Sequence, residues 1–64
     1  MKNYQKRVIK DKKDLEVKII KLTEFLCSNL SVNLTSKQRE LMQKQLYIML
    51  QYTTILETRI NDFI

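Results

Sequence analysis

Two stretches of apolar residues at helical spacing dominate the chain, and a short polar segment separates them. In the first stretch the apolar positions advance by threes and fours, with one step of seven, at Tyr4, Val8, Leu15, Ile19, Leu22 and Leu26. In the second they are Leu41, Met42, Leu46, Met49, Tyr52, Leu56, Ile60 and Phe63. Because such spacing places apolar side chains on one side of an α-helix, we predict helices over residues 3–29 and 36–63.

The segment between the stretches carries signals for a helix end and a helix start. Ser28 and Asn29 compete for backbone hydrogen bonds and therefore favour helix termini. Thr35 and Gln38 have the spacing of a capping box, in which each side chain accepts a hydrogen bond from the other residue's backbone amide. A turn as short as residues 30–35 forces the helices to run antiparallel. The sequence predicts a single all-α domain, an antiparallel two-helix hairpin.

The first apolar stripe is thinnest between Val8 and Leu15, where the charged residues Asp11 and Lys12 lie. Charged side chains narrow the apolar stripe of a helix. We therefore expect the amino-terminal third of the hairpin to pack less tightly than the third near the turn.

A second set of apolar residues on the second helix falls outside the stripe, and one partner helix cannot cover both sets. The set consists of Tyr47, Ile48, Leu50 and Ile55. Exposed apolar surface of this breadth usually marks an interface, and a chain of 64 residues forms only a small core. The lone Cys27 cannot form an intramolecular disulfide, and we expect it to pack as a small apolar side chain. The sequence predicts a homo-oligomeric helical bundle with these four residues at the interface.

The net charge of +5 is concentrated near the amino end, where residues 2–21 contain eight basic and three acidic residues. A basic segment suits an anionic partner, whether nucleic acid, a phosphorylated small molecule or an acidic protein face. Interleaved charges such as Asp14 and Lys18 equally fit a solvated helix face. No segment resembles a signal peptide or a membrane span, so we expect a cytoplasmic protein without a membrane partner.

The antiparallel register brings aromatic, amide and guanidinium groups together at the open end of the hairpin. With the turn near Val32, facing residues have numbers that sum to about 65. The candidate ligand-binding residues gathered there are Tyr4, Gln5, Arg7, Arg59 and Asn61. An aromatic ring can stack on a nucleobase, and an arginine can hold a phosphate through two parallel N–H bonds. The structural alternative is that Tyr4 and Phe63 close the core while both arginines extend beside Asp11 and Asp62.

Residues suited to catalysis are absent from the sequence. The chain has no histidine and no glycine, so it offers neither a histidine base nor a glycine-rich phosphate loop. A single cysteine without histidine also argues against a structural zinc site. We expect no enzymatic activity, no cofactor and no metal, and we interpret the function as binding.

Both halves of the chain resemble small helical-hairpin proteins encoded by tailed bacteriophages. The first half carries Tyr4-Gln5-x-Arg7-Val8 and then Lys13-x-Leu15-x-x-Lys18-Ile19-x-Lys21-Leu22-x-x-Phe25. The second carries Leu41, Gln45, Met49-x-x-Tyr52, Leu56-x-x-Arg59-Ile60 and Phe63. The acid-rich stretches of that family are more basic here, as at Lys10, Lys12 and Lys13. By looser similarity such proteins include the phage sponges that sequester cyclic oligonucleotide or cyclic ADP-ribose signals of bacterial immunity.

Three functions are compatible with these features. The resemblance implies an oligomeric sponge in the host cell cytoplasm, with Tyr4 stacking on a base, Arg7 and Arg59 holding phosphate, and Gln5 or Asn61 reading a polar edge. The alternative is an inhibitor that places its second apolar set in a groove of a host defence protein. A nucleic-acid binder ranks last, because the basic residues form no continuous stripe.

Overall fold

The computed structural model describes residues 1–63 as two antiparallel helices joined by a 3₁₀ turn. Helix α1 spans Asn3–Cys27, the 3₁₀ helix spans Asn29–Asn33, and helix α2 spans Ser36–Asn61. The molecule is a rod of 45 × 15 × 13 Å. The predicted all-α hairpin is confirmed. Neither helix contains an apolar stretch of the length and hydropathy that a bilayer crossing requires, as judged over residues 1–63.

The third residue of each helix is a glutamine, and its side chain accepts a hydrogen bond from the backbone amide three positions before it. In α2 the Gln38 Oε1 accepts from the Thr35 amide at 3.0 Å, and the Thr35 Oγ1 accepts from the Gln38 amide at 3.1 Å. This is the predicted capping box. In α1 the Gln5 Oε1 accepts from the Lys2 amide at 2.9 Å. A lysine ammonium cannot accept a hydrogen bond, so α1 has only half of a capping box.

The turn is held by a buried serine and an arginine that the sequence analysis did not single out. The Ser31 hydroxyl is buried and shares its proton between the Leu26 and Ser28 carbonyl oxygens, at 3.1 and 2.8 Å. The Arg39 Nη2 donates to the Ser31 carbonyl oxygen at 2.7 Å and to its Oγ at 3.3 Å. The bond to Leu26 satisfies a carbonyl that the end of α1 leaves unpaired, and the bonds to Ser28 and Ser31 hold the 3₁₀ turn. Helix α1 stops at Cys27, because Ser28 adopts an extended conformation that leads into the 3₁₀ helix.

Helix α2 carries two neighbouring rows of residues, each with alternating steps of four and three. The inner row packs against α1 and comprises Met42, Leu46, Met49, Thr53, Leu56, Ile60 and Phe63, all buried or half-buried. The outer row is displaced by one residue and comprises Leu41, Gln45, Ile48, Tyr52, Ile55 and Arg59, all exposed. Leu41 and Tyr52, which the sequence placed in one stripe with the inner row, therefore lie outside the row that packs against α1. Both precede an inner-row residue by one position, which turns them about 100° away from it.

The buried apolar side chains among residues 1–63 are Val8 and Leu56. Both lie in the half of the hairpin toward its open end, so the expectation of looser packing there was wrong. The reason is visible at Lys12, whose half-buried stem covers the core while its ammonium pairs with Glu16 at 3.1 Å. The charged interruption of the stripe is thus filled by the aliphatic part of a lysine.

The hairpin exposes more surface than a compact protein of its mass. Its accessible surface is 5262 Å², whereas a compact monomer of 7.8 kDa would expose about 4,400 Å². Its radius of gyration is 14.7 Å, against about 11 Å for a compact chain of this length. Two helices lying side by side leave their outer faces uncovered.

Candidate functional site

A shallow groove runs between the two helices near their middle. Its walls are Asp11, Asp14, Leu15 and Lys18 from α1 and Tyr52 from α2, and its volume is about 230 Å³. The α1 residues share one side of the helix because Asp14 and Leu15, which are adjacent, each lie three or four positions from both Asp11 and Lys18. Tyr52 belongs to the outer row of α2, and this fixes which side of the hairpin carries the groove.

The groove combines an apolar floor with groups of both charges. Leu15 and the Tyr52 ring can contact a planar ligand, and the two carboxylates can accept from hydroxyl or amino groups. Asp14 and Lys18 have the spacing of an ion pair. Within residues 1–63, however, the ion pairs shorter than 4 Å are Lys12 with Glu16 and Lys44 with Glu40. The charged groups of the groove are therefore open to a ligand.

Two arginines extend this side of the hairpin toward its open end. Arg7 continues the α1 series of Asp11, Asp14 and Lys18 one turn toward the amino end, and Arg59 lies seven residues after Tyr52. Both arginines are exposed, and neither forms a salt bridge within the part of the chain that the structure describes. Their level in the hairpin is the same, because each lies one turn inward from the contact between Tyr4 and Phe63. Two unneutralised guanidinium groups at one end of a groove favour an anion there.

Tyr4 and Phe63 close the open end of the hairpin. Their ring centroids lie 5.9 Å apart and their planes are perpendicular, which is the edge-to-face geometry that aromatic pairs prefer. Tyr4 also lies three residues before Arg7, on the groove side, and remains half exposed. Tyr4 thus packs against Phe63, as expected if the two rings close the core, and part of its ring is still accessible to a ligand.

The structure separates the five predicted ligand-binding residues into two groups. Tyr4, Arg7 and Arg59 lie on the groove side of the hairpin. Gln5 caps the start of α1 through the Lys2 amide instead of facing the groove. Asn61 follows Arg59 by two residues, and its side chain is therefore turned about 200° away from that of Arg59.

The four predicted interface residues are all exposed in the hairpin, but they form two surfaces. Ile48 and Ile55 lie seven residues apart in the outer row, on either side of Tyr52. Tyr47 and Leu50 lie on another side of α2, where the Tyr47 hydroxyl accepts from Gln51 Nε2 at 3.1 Å. Their role in an oligomer remains a prediction.

Sequence reasoning missed the groove because it read Asp14 and Lys18 as part of a charged helix face and assigned Tyr52 to the apolar stripe of α2. A signal was present in the steps of three and four that connect Tyr4, Arg7, Asp11, Asp14 and Lys18. Cys27 was also misplaced. Its thiol is exposed, because Cys27 lies about 100° around α1 from the half-buried Leu26. No metal-binding group of three histidine, cysteine or acidic residues is present between residues 1 and 63.

Comparison with known proteins gives one match that covers almost the whole chain. A family model described as Sequestin matches residues 2–62. No curated protein and no solved structure matches the chain. The family name implies that its members sequester a binding partner.

Proposed function

The chain belongs to the Sequestin family, and we propose on this basis that it binds and sequesters a nucleotide-derived signal of bacterial immunity. The signal is of the cyclic oligonucleotide or cyclic ADP-ribose type, and the protein acts as a phage anti-defence sponge in the host cell cytoplasm. The family name supports sequestration. The class of ligand is supported by the chemistry of the groove and by the resemblance to phage sponges.

The observation that carries this proposal is the pair of arginines beside an aromatic groove. Arg7 and Arg59 lie at the same level of the hairpin without a carboxylate within salt-bridge distance, among residues 1–63. A phosphate or pyrophosphate at this level of the hairpin would supply the negative charge that both guanidinium groups lack. Arginine forks hold phosphate oxygens in pairs, which adds geometric selectivity to the charge.

The groove gives the rest of the ligand a fixed orientation. Arg7 and Asp14 are seven residues apart along α1, a distance of about 10 Å, which separates the phosphate-binding end from the groove. A base stacks on Tyr52 above Leu15. Sugar hydroxyls or an amino group donate to Asp11 and Asp14. The carboxylates repel a phosphate, so the anionic end of the ligand lies at the arginines and the neutral polar end in the groove.

Binding should be measured by native mass spectrometry and calorimetry with cyclic dinucleotides, cyclic trinucleotides and cyclic ADP-ribose isomers. Arg7→Ala and Arg59→Ala each remove charge-assisted hydrogen bonds worth about 1.5–3 kcal/mol, so affinity should fall roughly 10- to 150-fold. Arg59→Lys keeps the charge but loses the fork, and should recover only part of that loss.

The matched control is Lys13→Ala. It removes the same single charge from α1, but Lys13 lies two residues from Asp11 and so projects from the opposite side of the helix. Its affinity should remain within about threefold of the wild type. Equal losses in the Lys13 and arginine variants would reduce the effect to net charge and contradict the proposed site. Failure to bind any compound of the panel would refute the proposed ligand class.

Sequestration also requires that the protein release its ligand without having altered it chemically. Heat denaturation of the loaded protein should release the signal with its original mass and retention time. Recovery of a hydrolysed or rearranged product would instead identify an enzyme.

A second candidate function is inhibition of a host defence protein through the surface of Tyr47 and Leu50. The observation that favours it is the exposure of both side chains on a side of α2 away from the groove. A stoichiometric host protein captured by the wild type and lost in Tyr47→Ala, with Arg59→Ala unaffected, would establish this alternative.

A further inference from the structure

The outer row of α2 has the pattern of a coiled-coil seam but no partner within the hairpin. Its steps alternate regularly between four and three residues, the spacing at which one helix packs along another. Its large apolar members, Leu41, Ile48, Tyr52 and Ile55, are all half exposed or more. The inner row of the same helix, with the same spacing, is the one that packs on α1. Helix α2 is therefore built to contact two helices, and the hairpin supplies one.

We propose that the outer row pairs with the outer row of a second copy, antiparallel, and that the second copy completes the ligand groove. The hairpin exposes 5262 Å², roughly 850 Å² more than a compact monomer of this mass. Covering that excess on two copies would bury about 1,700 Å², within the range of specific and stable protein interfaces. The excess accessible surface of two hairpins is therefore about as large as the area that a stable dimer interface buries.

Two copies of the outer row can pair in opposite directions with complementary residues facing each other. In an antiparallel pair centred between Ile48 and Tyr52, each Ile48 faces Tyr52 of the second copy. Gln45 then faces Ile55, and Leu41 faces Arg59, so every layer contains a large apolar side chain. A parallel pair would instead place Arg59 on Arg59 and Gln45 on Gln45, which sets like charges together and buries polar groups in pairs. The antiparallel arrangement also closes on itself through a two-fold axis.

The link to ligand binding rests on the proposed function and comes from residues that serve both surfaces. Tyr52 lines the groove, Arg59 lies seven residues after it on the same side of α2, and both belong to the outer row. A second α2 lying on the outer row therefore runs beside the groove and adds a wall to it. The groove of one hairpin, about 230 Å³, is smaller than the roughly 300–1,000 Å³ of typical small-molecule sites. A second wall would enlarge and enclose it.

The dimer is tested with neighbouring residues of equal exposure. Ile48 and Tyr47 are both 63% exposed, but only Ile48 belongs to the outer row. Native mass spectrometry should give the wild type and Tyr47→Glu twice the 7.8 kDa mass of the chain, and Ile48→Glu the mass of one chain. A monomeric wild type, or equal disruption by both variants, would overturn the proposal.

The orientation is tested by crosslinking, which does not depend on a disruptive variant. Leu41→Cys and Arg59→Cys are prepared separately in a Cys27→Ser background, mixed and oxidised. Antiparallel pairing predicts a mixed disulfide between the two variants, because positions 41 and 59 face each other. Disulfides between two Leu41→Cys chains should be absent, because those positions lie 18 residues apart along the pair, about 27 Å. Leu41→Cys homodimers without mixed dimers would overturn the antiparallel arrangement.

The contribution of the second copy to the site is measured with the same panel of cyclic nucleotides and cyclic ADP-ribose isomers. Ile48→Glu should weaken binding of whichever compound the wild type holds by more than about tenfold, with Tyr47→Glu unchanged. Undiminished binding by a monomeric Ile48→Glu would show that one hairpin suffices and overturn the shared site. A wild type that dimerises but binds no compound would refute the proposed function and leave the dimer intact.

Discussion

Leu56 should contribute more to the stability of the hairpin than any other leucine of α2. It is 1% exposed and is the largest side chain that the core encloses completely, among residues 1–63. Leu56→Ala removes apolar carbons worth about 0.8 kcal/mol each and leaves a cavity, a combination that typically costs about 2–5 kcal/mol. A chain of this length has a total stability of roughly 3–10 kcal/mol. The substitution should therefore remove about a fifth of the stability or more.

Leu50 provides the matched control, because it allows the same substitution in the same helix. It is 48% exposed and lies outside both rows of α2. Leu50→Ala should cost less than about 1 kcal/mol, since much of its surface is already in water and alanine slightly favours the helix. The difference between the two variants should thus exceed about 1 kcal/mol, independent of any change in helix propensity.

Urea denaturation followed by far-ultraviolet circular dichroism measures both values. All proteins must be compared at one concentration, because the proposed dimerisation would make apparent stability depend on concentration. The midpoint of Leu56→Ala should fall well below that of Leu50→Ala. Equal losses would refute the reasoning, since they would show that the Leu50 side of α2 is as deeply buried in the folded protein as the inner row.

Two further predictions concern the helix ends. Arg39→Ala should destabilise the hairpin by about 1–3 kcal/mol in the same urea assay, because it removes charge-assisted bonds to Ser31; a loss below about 0.5 kcal/mol would contradict the role of Arg39 in the turn. Gln5→Ala should increase hydrogen exchange in the first turn of α1 while changing ligand affinity less than about threefold, because Gln5 caps the helix. A large loss of ligand affinity with unchanged hydrogen exchange would indicate that Gln5 contacts the ligand instead.

The fold could be predicted from the sequence because its determinants are local. Spacing by threes and fours fixes which side chains share a helix face, and the pair Thr35 and Gln38 specifies the start of α2 within four residues. The failures were not local. Leu41 and Tyr52 are apolar and close to the correct spacing, but α1 covers the neighbouring row, and only the packed hairpin decides between two adjacent rows.

The candidate site was predicted in part for the same reason. The hairpin register and helical spacing were enough to gather Tyr4, Arg7 and Arg59 on one side. Gln5 and Asn61 were chosen for their amide groups at the correct level, without regard to the side of the helix or to capping. Spacing within α1 could have grouped Asp11, Asp14 and Lys18, but it could not show that Tyr52 of α2 lines the same groove across the hairpin.

The proposed site and the proposed dimer are coupled through Tyr52 and Arg59. A ligand held between two copies strengthens their association by the same free energy by which association strengthens its binding. The proposed interface would give a hairpin with two buried apolar side chains among residues 1–63 both a larger core and an enclosed site. Sequestration works only when the protein is in excess over its signal. High protein concentration is also the condition that would populate the proposed dimer, so a sponge would be present at the concentration at which the proposed site is complete.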